Sequence, residues 1–163
     1  MSPNPHRGTP SADATLAIRR LAQETGGNVQ ELQTLYVLES FLARIAASPY
    51  RDDFVVKGGV LLGAFALRRP TKDIDLLAIR ISNDLDDVSD RIREIAVIDL
   101  ADGIFFNSET ITASLIRDED EYSGIRVKLV GALDRARLPI GIDVSFGDPV
   151  WPIPTRIELP RIV

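Results

Sequence analysis

The spacing of apolar and polar positions splits the chain into a helical first third and a second half dominated by β-type alternation. Ala14, Leu16, Ile18 and Leu21 follow a helical pattern with Ser11 as N-cap, and Gly26-Gly27 ends it. Asn28 with Glu31 has the form of a capping box. It opens a second helix in which Leu32, Leu35, Leu38, Phe41, Leu42 and Ile45 recur at helical spacing to about Ala47, where Ser48-Pro49 closes it. Residues 54–56 predict a short buried strand, residues 60–67 an apolar helix after Gly58-Gly59, and residues 73–79 a second strand. An amphipathic helix is expected over 85–98. The remainder predicts strands over 103–106, 110–116, 125–133 and 138–146. Turns fall at 117–123 and 134–137, so that the last two strands form a hairpin. Pro152 and Pro154 precede a short apolar end over 157–163, and no internal repeat is present. This order predicts an α+β domain with one mixed β-sheet flanked by helices.

A chain of 163 residues suffices for one domain with a real core. Residues 1–12, rich in Pro and small polar residues, are expected to form a flexible tail, and residues 13–163 the domain. With 45% hydrophobic and 26% charged residues, the composition is that of a soluble globular protein. There is no cysteine, which excludes disulfides, thiolate metal sites and a cysteine nucleophile. His6, in the tail, is the sole histidine, which leaves no place for a histidine metal centre or a Ser-His-Asp triad. The net charge of -5 and pI of about 4.9 disfavour generic binding to nucleic acid or anionic membrane, while leaving a local basic patch open. No apolar run approaches the roughly 20 residues of a membrane helix, and the start lacks a secretory signal's apolar stretch. The expectation is a cytoplasmic protein.

The segment VKGGVLLGAFALRRPTKDIDL carries the chemistry. Asp73 and Asp75 are two apart in an expected strand, so both point to one face with Cβ atoms roughly 6.5–7 Å apart. Carboxylates this close repel, and a divalent cation between them removes the repulsion. Mg²⁺ suits all-oxygen ligands and shares its shell with substrate phosphate. Alone, a D-x-D is more often a solvated strand end. Here Gly58-Gly59 stands between a strand and a helix, where a phosphate can approach the backbone and the helix N-terminus. Lys57, Arg68, Arg69 and Lys72 gather positive charge nearby, for phosphate oxygens or as salt-bridge partners of the aspartates. In PIGIDVSF, Asp143 lies mid-strand between Ile142 and Val144, where an acid needs a partner or a metal. Pairing that strand beside Asp73 would bring Asp143 to the same cation, as general base or as second metal ligand. Lys128, in IRVKL, would reach the nucleotide if its strand lines the cleft, or occupy the surface of an edge strand.

VKGG, then R-x-T-x-D-I-D-L, then I-D-V-S-F-G-D together resemble the AbiEii/AbiGii-type, MenT-like nucleotidyltransferase toxins of the DNA polymerase β-like superfamily. Gly58, Gly59, Arg69, Thr71, Asp73 and Asp75 stand in that family's order and spacing. The resemblance implies the polymerase β-like nucleotidyltransferase fold and a toxin of a toxin–antitoxin or phage-defence pair, with a cognate antitoxin as partner. It implies an enzyme that binds an NTP with Mg²⁺ and transfers nucleotides to RNA, in several relatives the 3′ end of tRNA. By it Asp73, Asp75 and Asp143 hold the metal, Gly58 and Gly59 meet the triphosphate, and Arg69 orients the acidic loop or a phosphate. Val60 stands where many relatives have Ser or Thr. Full-length relatives continue into a helical region, with a lysine in a K-x-x-A-like helix and an R-x-x-x-D-like segment, and neither occurs before Val163. The alternative function is therefore a truncated or degenerate transferase domain that binds a partner without catalysis. A transferase acting on a protein hydroxyl or a small molecule is a third. Thr71 is either a turn residue or a site where phosphorylation would repel an incoming triphosphate.

Overall fold

The computed structural model describes residues 8–57, 70–116, 124–146 and 161–163. Gly58, Gly59, Val60, Arg68 and Arg69, the helix expected over 60–67, His6 and the turn over 117–123 lie outside these residues. Helix α1, Pro10–Thr25, starts earlier than expected. Thr9 is its N-cap, accepting from the Ala12 N–H at 3.2 Å, and Pro10 takes the first turn, where its missing N–H costs nothing. Residues 10–12 are thus helix rather than tail. Ser11, the expected cap, instead accepts from the Asp134 N–H at 2.7 Å and ties α1 to the far end of the sheet. Gly26 ends α1 in the left-handed region at φ 70, which glycine adopts without strain. Helix α2, Val29–Ala47, begins as expected at Asn28, whose side chain accepts from the Glu31 N–H. Helix α3, Leu85–Ala96, is capped by Asp84.

Strands β1 (Phe54–Val56), β2 (Asp73–Ala78), β3 (Ile104–Ile116), β4 (Gly124–Leu133) and β5 (Ala136–Phe146) form one sheet in the order β1-β2-β5-β4-β3. β2 and β5 run parallel and the other pairs antiparallel, so the sheet is mixed, as the pattern predicts. The expected strands over 103–106 and 110–116 are one strand. A register shift between Asn107 and Thr112 absorbs the polar residues that made the sequence look broken. The Thr110 hydroxyl accepts from the Val130 N–H there, keeping the two edges joined. The hairpin turn is two residues, Asp134 and Arg135, not four, because Leu133 pairs with Ala136.

Ile74, Leu76, Ile125, Val127, Leu129, Ile140, Ile142 and Val144 are buried on one sheet face, against α2 and α3. The intervening residues on β2, β4 and β5 form the opposite face, called the open face below, on which Asp73, Asp75, Arg126 and Lys128 are exposed and Leu77 is buried. Within the core, the Arg44 guanidinium lies 5.0 Å from the centroid of the Phe106 ring. It donates to both oxygens of Asp102, to Ser40, and to the carbonyls of Ile98 and Ile104. Burial pushes Asp102 up, but hydrogen bonds from Arg44, Ser40 and the Ile104 N–H outweigh it and hold its carboxyl below the usual value. The Tyr36 hydroxyl donates to the Asp102 carbonyl at 2.6 Å and is pushed up to about 12, chiefly by burial. This network pins the loop before β3 to α2. No helix among the described residues is long and apolar enough to cross a membrane.

Candidate active site

The register of the sheet assembles the acidic residues. β2 and β5 pair with Asp75 opposite Asp143 and Asp73 opposite Gly141. β5 and β4 pair with Asp143 opposite Arg126 and Gly141 opposite Lys128. Two rows therefore cross the open face: Asp75, Asp143 and Arg126 in one, Asp73, Gly141 and Lys128 in the next. Asp73, Asp75, Arg126 and Lys128 are exposed and Asp143 is half-buried, while the residues between them are buried on the helical side. The alternation expected of a D-x-D strand is thus realised, and the third acid is on the same face.

Gly141 gives the face its shape. A Cβ at this position would meet Asp73 Oδ1. The Asp73 side chain leans over β5 into space that only glycine leaves. The Gly141 N–H donates to the Lys72 carbonyl at 2.9 Å and extends the parallel pairing just before Asp73. The Lys57 N–H donates to the Asp75 carbonyl at 2.9 Å, which sets the end of β1 beside the acidic pair. The half-buried Thr71 has its hydroxyl 3.5 Å from the Asp73 carbonyl. The Lys128 strand is not an edge: β3 lies outside it, and Lys128 faces the acidic rows.

The expectation that three carboxylates converge on one point is not met. Among the described residues no three acidic side chains are drawn together closely enough to hold a metal ion as they stand. Three like charges repel. Arg126 resolves this locally, donating from Nε to Asp143 Oδ1 at 2.8 Å and from Nη2 to Oδ2 at 2.9 Å. Its guanidinium is pushed up first by these bonds and the Asp143 charge, and further by the charges of Asp73 and Asp75. A cation is thus already bound where the three fields overlap, and it draws Asp143 towards β4. Asp73, Asp75 and Asp143 share one face and adjacent register positions, and their carboxylate oxygens are the donor type that a hard divalent ion prefers. Arg126 is a site residue that the sequence reading missed.

The open face continues beyond the charged rows. Two and four residues before Gly141 on β5 stand Pro139 and Arg137, paired with Val130 and Ala132 of β4. With Phe105, Asn107, Thr110, Asp134 and Arg135 they line a trough of about 630 Å³. Phe105, near the start of the edge strand β3, is 66% exposed.

The sequence pattern of a family described as nucleotidyl transferase AbiEii toxin, type IV toxin–antitoxin system, matches residues 40–163. Two crystal structures from Helicobacter pylori are similar. JHP933 has 19% identity and a TM-score of 0.48, over 77% of this chain and 47% of that one. A protein provisionally assigned as a nucleotidyltransferase has 20% identity and a TM-score of 0.48, over 77% of this chain and 49% of that one. The chain spans about half the length of both. No protein of curated function matches it.

Proposed function

The chain belongs to the AbiEii nucleotidyltransferase toxin family of type IV toxin–antitoxin systems, and from that premise we propose that it transfers a nucleotidyl group from an NTP to an RNA acceptor, the 3′ end of tRNA above all. A cognate antitoxin is its regulatory partner. One observation carries the reading: parallel pairing sets Asp75 directly opposite Asp143, with Asp73 on the same face over Gly141. In this reading Asp73, Asp75 and Asp143 would hold Mg²⁺, Lys128 would reach the nucleotide, and Lys57, Gly58, Gly59, Arg69 and Thr71 would contact the triphosphate. When bound, Mg²⁺ neutralises charge that builds on the α-phosphate and the departing pyrophosphate. An acceptor hydroxyl oxygen bonds to the α-phosphorus as the bond to pyrophosphate breaks, and its proton passes to one of the three carboxylates. With Mg²⁺, each labelled NTP and total RNA, the protein labels an RNA species; absence of label with every NTP refutes transfer to RNA.

The trough is where we place the acceptor strand. Its floor offers Phe105 for base stacking, and Arg135 and Arg137 outweigh Asp134 in charge. Arg137 lies six residues from Asp143 on β5, roughly 20 Å at about 3.3 Å per residue, so a few nucleotides span trough and acids. The double variant Arg135→Glu/Arg137→Glu is expected to bind RNA at least about tenfold more weakly, with a salt slope reduced by about 1–2. A fluorescence-anisotropy titration at several salt concentrations checks this, and an unchanged slope would place the acceptor elsewhere.

A second reading, a partner-binding domain without catalysis, is favoured by Asp143 being held on Arg126. In that case neither labelled NTP nor a divalent ion stabilises the protein in a thermal melt.

A further inference from the structure

Arg126 takes both oxygens of the one carboxylate that must turn towards Asp75 if three acids are to share a cation. Its side chain is 47% exposed and that of Asp143 22%. At that exposure an ion pair adds little to stability, so the fold does not depend on it. What the pair does do is occupy the donor set with a cation supplied by the chain itself. A guanidinium is also the side chain whose planar fork matches phosphate oxygens. Released from Asp143, it stays on β4 in the same row as Asp75, beside Lys128 in the next, facing the space where a triphosphate would meet the acids.

We propose that Arg126 is exchanged between two partners: it holds Asp143 while no divalent cation is bound, and it binds phosphate oxygens of the incoming nucleotide once the cation has taken Asp143. The inference rests on the nucleotidyltransferase reading of this face. No covalent bond changes in the exchange; one ion pair is replaced by a cation–Asp143 contact and an Arg126–phosphate contact. Cation and nucleotide therefore help each other to bind. The cation frees Arg126 for the nucleotide, the nucleotide frees Asp143 for the cation, and the two effects are equal by linkage.

The test measures Mn²⁺ affinity by electron paramagnetic resonance, with and without an α,β-methylene NTP that cannot be cleaved, and the nucleotide's affinity at saturating Mn²⁺. The proteins are wild type, R126Q, R126K and D143N. In R126Q without nucleotide, Mn²⁺ is expected to bind roughly two- to fivefold more tightly, because a competitor of surface ion-pair strength is gone. The nucleotide at saturating Mn²⁺ is expected to bind about tenfold more weakly. Opposite signs in one variant are the signature, since an arginine with a merely structural role would weaken both or change neither. R126K keeps the charge without the fork, and the same two signs are expected at smaller size; it carries the test should R126Q fail to fold. Unchanged or weaker Mn²⁺ binding in both Arg126 variants, or unchanged nucleotide binding, overturns the exchange. If D143N binds Mn²⁺ as tightly as wild type, it is the assignment of the acidic face that fails instead.

Discussion

Replacing Asp75 with Asn is expected to lower the proposed nucleotide transfer by about 10³-fold or more, while leaving the fold as stable as before. The size follows from the role proposed for the residue. Stabilising the charge of a transferring phosphoryl group contributes several kcal/mol, and roughly 4 kcal/mol is a thousandfold in rate. Asn keeps the shape and one acceptor oxygen but not the charge. Asp75 is exposed and faces away from the core, so its replacement should alter stability by no more than about 0.5 kcal/mol. Asp73→Asn is expected to behave alike. Single-turnover transfer with excess protein, beside a denaturant titration, separates the two effects. A variant that loses transfer only in proportion to lost folded protein would remove Asp75 from the chemistry.

The largest stability effect is expected far from the acids, at Asp102. Arg44 is 2% exposed and Asp102 21%, and the two share a bidentate ion pair inside a network with Ser40 and two backbone carbonyls. Asp102→Asn strands a buried guanidinium. Breaking such a pair costs about 3–5 kcal/mol, and the partial exposure of Asp102 puts this one near about 3. For a chain of this length that lowers Tm by roughly 6–12 °C. The pH dependence has a definite sign. The carboxyl is held below its ordinary value near 3.8, so its contribution is full above that pH and fades as pH falls through the folded value. Urea unfolding of both proteins at pH 7 and at pH 3 should show the gap narrowing in acid; a gap that is constant with pH would mean that the Asp102 charge is not what stabilises the loop.

Much of the face was readable from residue order. The D-x-D alternation placed Asp73 and Asp75 together, and Asp143 between Ile142 and Val144 had to face outwards with them. Arg126 carried the same signal, a basic residue between buried Ile125 and Val127, but the hairpin concealed its partner. A four-residue turn over 134–137 sets Arg126 opposite Ser145. The observed two-residue turn shifts the register by two and sets it opposite Asp143. Asp134 adopts positive φ, at 52, which Asp tolerates better than most residues, and that made the shorter turn possible. The Arg44 network was illegible for a different reason. An arginine between apolar helix positions reads as solvated, and its carboxylate partner lies 58 residues away in a loop without periodicity. Whether Lys128 lay on an edge strand depended on the strand order, which residue spacing does not give; β3 pairs along its outer side.

The most direct test of the acidic face is where a divalent cation sits. Mn²⁺ titrated at substoichiometric amounts into isotopically labelled protein broadens backbone amide signals according to their distance from the ion. The expected result is broadening centred on Asp73, Asp75, Gly141 and Asp143, reaching Arg126 and Lys128, and abolished by excess Mg²⁺. Broadening centred on the acidic residues of α3, or none at ion concentrations that saturate other nucleotidyltransferases, would contradict it.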